Sequence, residues 1–243
     1  MDSGYYAACT ALLSRTQALD AVANNLANTG TSGFRAEHSM FRSVLTSAGG
    51  SALNQAINNF GVLGDTRFDL AQGNLEHTGN DTDLAIEGKG FFVVQTPKGV
   101  VYTRNGNFQV SPTGQLMTSQ GDPVMGDKGI LNVLGGKLTI SPDGTLSING
   151  AIAGRLKVVE FPAGTKLESL GETYYTAPNG TAVAAKDTSV RQGMLESSNV
   201  NPVKSMVDLI MVQRAAEMMQ RALTMFHTDI NKTATQDLPR VSG

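Results

Sequence analysis

Residues 5–26 read YYAACTALLSRTQALDAVANNL, and within them Tyr5, Cys9, Leu12, Thr16, Leu19, Ala23 and Leu26 recur at alternating steps of four and three. Near the other end Met211, Ala215, Met218, Ala222 and Met225 repeat the rhythm, behind Val203, Val207 and Ile210. That period lays apolar residues along one strip of an α-helix, and such a strip needs a second helix to cover it. Neither segment has a strong apolar neighbour close by in sequence, so the pattern predicts that the first helix pairs with the last. The expected fold is mixed α and β, with the terminal helices pairing as a coiled-coil-like base beside a central antiparallel β domain. That arrangement points to assembly rather than chemistry.

Asp2 or Ser3 caps the first helix, and Asn28-Thr29-Gly30 ends it. Its strip is weakly apolar, with Ala, Thr and Cys among the leucines, and packing supplies most of a helix's stability. Both terminal segments are therefore expected to be largely disordered in an isolated monomer. The last helix opens at Asn201-Pro202, where asparagine caps and proline gives up an amide that had no partner, and continues to about Thr233. Its many methionines suit contact with irregular neighbours, and equally an ordinary methionine-rich core face.

Between the helices the pattern changes to short β-prone runs: Phe91–Val94, Val100–Thr103, Asn107–Val110, Lys137–Ile140, Thr145–Ile148 and Leu156–Phe161. Asn105-Gly106, Ser111–Gly114, Gly135-Gly136, Ser141–Gly144 and Asn149-Gly150 separate them, each offering a residue tolerant of positive φ for a tight hairpin. Strands at this spacing without helices between them imply an antiparallel sandwich or open barrel. The expected division is an N-terminal helical segment 1–45, a flexible connector 46–65, a β domain 66–190 and a C-terminal helical segment 191–243.

Composition excludes several functions. The net charge of −2 comes without a cluster of Lys or Arg, which argues against nucleic acid and against a polybasic membrane anchor. No apolar run approaches the ~20 residues that cross a bilayer, so direct membrane insertion is not expected. The opening Met1-Asp2-Ser3-Gly4 has no basic stretch ahead of an apolar one, so no cleavable signal is expected. The single cysteine, Cys9, reads as a small apolar residue on the helix strip. His38, His77 and His227 lie far apart without ligand spacing, and no Gly-x-Ser-x-Gly elbow occurs. Gly121–Lys128 places Asp127 where a phosphate-loop lysine belongs, and Gly88-Lys89-Gly90 lacks the third glycine of a dinucleotide fingerprint. Asp81, Asp83 and Glu87 are the best acid–base or calcium candidates, without the further oxygen donors of a calcium loop. Neither a cofactor nor a metal is expected, and no enzyme reading gains weight.

Three blocks look familiar. Ala23–Asn28 with Thr31-Ser32-Gly33-Phe34-Arg35 comes first; Thr78–Phe92 continued by Tyr102–Phe108 comes second; Gln192–Val200 comes third. In this order and spacing they resemble the axial proteins of the bacterial flagellum, the family of rod and hook subunits. Within that family, Asp2, Tyr5-Tyr6, Gly33–Glu37 and the overall length look most like the proximal-rod type, with the distal-rod subunit the close competitor. Thr10 stands in a stretch where relatives usually have a glycine. The resemblance covers most of the chain except roughly Thr46–Gly64.

The resemblance implies a structural subunit of the basal-body rod, in the periplasm, assembling with copies of itself and other rod subunits. It also implies delivery through the flagellar type III export apparatus without a cleaved signal. The expected assembly interface comprises Leu12, Leu19, Asn24, Asn25, Leu26, Asn28, Gly33, Phe34, Asn199, Val207, Ile210, Met211, Met218 and Met225. Asn24 and Asn28 lie four apart on one helix face, where side-chain amides can fix register against a neighbour. Two other classes stay open: a calcium-dependent cell-surface binding module, and a carbohydrate- or peptidoglycan-cleaving enzyme using Asp81, Asp83 or Glu87.

Overall fold

The N-terminal helix, α1, runs Asp2–Ala27, and the C-terminal helix, α2, runs Pro202–Gln236. The computed structural model describes residues 2–42, 62–133, 135–171, 173–178 and 180–236. The chain divides into two units. A helical unit holds residues up to 26, a pair of strands within 37–67, and the chain from 202 onward; a β unit holds 27–36 and 68–201.

In the helical unit α1 stops at a turn in which the Thr31 N–H donates to the Asn28 carbonyl at 3.2 Å. Its buried strip is not the expected one. Ser14, Ala18, Ala21 and Asn25 are buried, whereas Leu12, Leu19 and Leu26 are half-buried and Thr16 and Ala23 are exposed. The buried strip lies about 130° round the helix from the leucines. It is made of small or polar side chains at steps of four, three and four.

On α2, Ser205 is buried and Asp208, Leu209, Val212, Ala216, Met219 and Leu223 are half-buried. The expected strip is largely open: Val203, Val207, Ile210, Met211, Met218 and Met225 are all exposed, with Ala215 and Ala222 half-buried at its edge. The helix thus has two apolar faces, one half-buried and one open.

The strands Glu37–Arg42 and Val62–Phe68 pair in a two-stranded sheet. The expected flexible connector 46–65 falls mostly outside the described residues, but 62–65 belong to this second strand. Thr66 and Phe68 share one side of a period-two run that the polar stretch before it obscures.

The β unit is antiparallel throughout its described ladders. Its largest sheet has the spatial order Glu168–Ser169, Tyr174–Thr176, Gly99–Thr103, Phe91–Thr96, Val158–Glu160, Val183–Ala184. The strand Phe91–Thr96 is covered on both sides. Phe92 enters a core with Leu84, Ile86, Phe108, Leu116 and Leu146, while Phe91 and Val93 join Val159, Leu167 and Tyr175. Burial on two faces explains why this strand reads as a continuous apolar run rather than an alternating one. Each fully buried Phe or Leu contributes about 1.5–3 kcal/mol.

Smaller sheets pack around it. Leu138–Ile140, Thr145–Ile148 and Ala151–Arg155 form a three-stranded sheet, and Phe108–Val110 pairs with Leu116–Thr118. The two Ser-Pro-x-Gly stretches make the same turn: Gly114 and Gly144 donate to Ser111 and Ser141 carbonyls at 2.8 and 2.9 Å. Asn105-Gly106 is not a hairpin turn. It carries the chain from one sheet to the next, and a Cβ on Gly106 would lie 1.6 Å from the Leu84 carbonyl oxygen. Close backbone approach, rather than positive φ, requires that glycine.

Candidate functional site

One charged side chain from each of three distant stretches meets inside the β unit. Arg35, Arg104 and Glu196 are 0%, 1% and 0% exposed. The Glu196 carboxylate accepts from Arg35 Nη2 at 2.5 Å, from Arg104 Nη1 at 3.2 Å and from the Gly73 N–H at 2.8 Å. Arg104 also donates to the Gly88 carbonyl at 2.7 Å and stacks over the Phe91 ring, 5.0 Å from its centroid. Among the described residues Arg35 Nε and Nη1 meet no acceptor. One carboxylate therefore answers two guanidiniums in the buried interior. Burial pushes Arg104 down to about 10, the nearby Arg35 charge adds to that fall, and Glu196 opposes it. The guanidinium still carries its charge at neutral pH.

The backbone around this triad is tied as tightly. Gly33 donates to the Glu196 carbonyl at 2.7 Å, and Asp69 donates to the Ala36 carbonyl at 2.8 Å. The Asn199 side chain accepts from the Ala36 N–H at 2.7 Å and donates to the carbonyls of Asp69 and Ala71 at 2.8 and 3.0 Å. Gly33 sits at φ +72°, and a Cβ there would lie 2.3 Å from the Asn105 nitrogen. Phe34 packs with Ala36 and Val200. The chain crosses between its two units next to residues 27, 36, 68 and 201. All four crossings therefore leave from segments fastened to one another here.

The expected interface residues separate into two groups. Gly33, Phe34 and Asn199 belong to this junction, and Asn28 closes α1, its Oδ1 accepting from the Thr31 hydroxyl at 3.1 Å. Asn25 is buried, and its amide is used within the chain: Oδ1 accepts from the Glu37 N–H at 2.7 Å and Nδ2 donates to the Glu37 carbonyl at 2.8 Å. Asn24, exposed, donates to the Glu37 carboxylate at 3.2 Å. The register-fixing amides thus clasp their own chain's strand. Val207, Ile210, Met211, Met218 and Met225 form the second group, an apolar strip open on α2.

The acidic candidates do not assemble. Glu87 pairs with Arg191 at 2.8 Å, and that partner holds its carboxyl below the usual range. Asp83 is buried against Asn107, and Asp81 is exposed. Among the described residues no group of three or more His, Cys, Asp or Glu side chains is placed to hold a metal ion, and no helix is long and apolar enough to cross a membrane.

Sequence reasoning assigned no role to Arg35, Arg104 or Glu196. The available signal was a lone charge in the first and third familiar blocks, Arg35 and Glu196; in the second, Arg104 stands among Asp81, Asp83, Glu87 and Lys89 and is not singled out.

Three family models match the chain. The model of the flagella basal body rod protein matches residues 6–35, the flagellar hook protein FlgE/F/G D1 domain matches 85–148, and the flagellar basal body rod FlgEFG protein C-terminal region matches 191–236. A flagellar basal-body rod protein FlgF of Mesorhizobium japonicum is 35% identical over 89% of this chain and 90% of its own length. The FlgF of Salmonella typhimurium is 36% identical, covering 92% and 94%. A flagellar basal-body rod protein FlgG of Buchnera aphidicola is 32% identical, covering 85% and 88%. The chain belongs to the flagellar basal-body rod family. It is FlgF-like, and its relatives are structural rod proteins rather than enzymes. The buried triad of this rod protein draws one residue from each matched region: Arg35 closes the first, Arg104 lies in the second and Glu196 in the third.

Proposed function

We propose that this chain is a structural subunit of the flagellar basal-body rod, of the proximal FlgF type, that joins sister copies and other rod subunits through its terminal helices. The observation that carries the reading is the open apolar strip Val203, Val207, Ile210, Met211, Met218 and Met225 on α2, opposite a half-buried face. A helix apolar on two sides has one side to give to another molecule. Contacts of this head-to-tail kind do not close, so they build filaments rather than rings.

Within the chain, the small-residue strip of α1 and the half-buried face of α2 pair as a coiled-coil-like base. Leu12, Leu19 and Leu26 lie about 130° round α1 from that strip, and Asn24 and Asn25 fix the adjoining strand. The terminal helices carry torque along the rod, the cluster of Arg35, Arg104 and Glu196 holds the segments of the β unit to one another, and the β unit braces neighbours laterally. The subunit reaches the periplasmic rod through the flagellar type III export apparatus, without a cleaved signal, and its helices gain order as they stack. The match to FlgG relatives keeps the distal-rod type as the second reading.

The test replaces Met211 and Met218 by Asp together. Both are exposed, so the purified variant keeps the helicity and unfolding midpoint of the parent. Cells carrying it as their only copy are expected to stop swimming, with basal bodies arrested at an incomplete rod by electron microscopy. Normal swimming and complete rods would overturn the proposal.

A further inference from the structure

We infer that Met211, Met218 and Met225 form an oxidation-sensitive strip, at which a hydroperoxide reversibly blocks the joining of α2 to sister molecules. The inference rests on the assembly reading above. The three residues are 63%, 65% and 65% exposed and lie seven apart, so each sits within about 20° of the next around the helix. Met219, on the other apolar face of the same helix, is half-buried, as are Met117, Met125 and Met194 in the β unit. Accessibility therefore divides the methionines of one helix into open and shielded ones; Met206, also exposed at 53%, lies about 120° round the helix from the strip of three.

A thioether sulfur attacks a peroxide oxygen with its lone pair. The O–O bond breaks, one oxygen stays on the sulfur, which is oxidised by two electrons to the sulfoxide, and the other leaves protonated, as water from hydrogen peroxide or as the alcohol from an organic hydroperoxide. A thiol reductant reverses this, taking the oxygen away as water and ending as a disulfide. The sulfoxide is polar, so a strip that must become dry on assembly would have to bury an S=O group without a designed donor. Each modified residue is expected to weaken association by roughly tenfold. The same thioethers in reduced form adapt to imperfectly matched neighbours, which suits a filament contact. The strip therefore joins easily before oxidation and poorly after it.

The experiment uses the full chain. After graded exposure to hydrogen peroxide, mass mapping is expected to find sulfoxide at Met211, Met218 and Met225 before Met219, Met117, Met125 and Met194. Treated protein should lose self-association in sedimentation and regain it after methionine sulfoxide reductase. The variant Met211→Leu/Met218→Leu/Met225→Leu should associate equally well with or without peroxide. Equal oxidation of shielded and open methionines, or wild-type association untouched by peroxide while the strip is fully oxidised, would overturn this inference and leave the assembly reading standing. An untreated wild type and an untreated leucine variant that both stay monomeric at every concentration would overturn the two together.

Discussion

Replacing Glu196 by Gln tests whether the buried triad holds the β unit closed. The carboxylate oxygen that accepts from both Arg35 and Gly73 has two donors to satisfy, so the new amide keeps its oxygen on that side. Its NH2 group then faces Arg104 Nη1, donor against donor, at a site where the original contact is 3.2 Å. The substitution also removes the negative charge, leaving two guanidiniums with their repulsion unanswered at 0% and 1% exposure. Breaking a buried ion pair on one side costs about 3–5 kcal/mol. The two pairs share one carboxylate, so the costs do not simply add. With a urea slope of about 2 kcal/mol per molar, the midpoint falls by roughly 2 M. The chain has no Trp, so the β unit is followed by the near-ultraviolet circular dichroism of its tyrosines Tyr102, Tyr174 and Tyr175. Glu87→Gln is the control, because its ion pair with Arg191 is half-exposed and should barely move the midpoint. A fall of less than about 0.5 M in Glu196→Gln, no larger than in the control, would refute the reasoning.

Asn199→Asp keeps an acceptor for the Ala36 N–H but turns a carboxylate toward the carbonyls of Asp69 and Ala71; it should cost about 2 kcal/mol, read as a lower urea midpoint, and an unchanged midpoint would deny Asn199 its tying role. Burial, with the Asp122 carboxylate adding and the Thr118 hydroxyl opposing, pushes the Tyr174 phenol up to about 12. The unfolded chain releases that proton near the ordinary value of 10, so this share of stability is intact below pH 10 and is lost as pH rises toward 12. Tyr174→Phe should therefore show a shallower decline in stability across that window than the parent, and identical slopes would contradict the assignment.

Local signals served the fold well. The end of α1 at Asn28, the start of α2 at Pro202, the twin Ser-Pro-x-Gly turns and the doubly covered Phe91–Val94 run all follow from short-range chemistry. The buried face of α1 did not, because a heptad reading weights large side chains while close helix contact favours small ones such as Ala18 and Ala21. Asn25 misled for a related reason: a buried amide looks the same in sequence whether it meets a neighbouring molecule or the Glu37 backbone. Gly106 was legible as special, but only the course of Leu84 shows that its missing Cβ matters more than its φ. The triad was least accessible, since Arg35 and Glu196 are 161 positions apart and nothing local says that two buried cations share one anion.

The first and last segments of the β unit lie one hydrogen bond apart, Gly33 to Glu196. A stretch whose two ends are pinned together can change its internal length without parting them. A hairpin such as the one closed by Asn149-Gly150 is therefore free to lengthen or shorten while Gly33 and Glu196 stay joined.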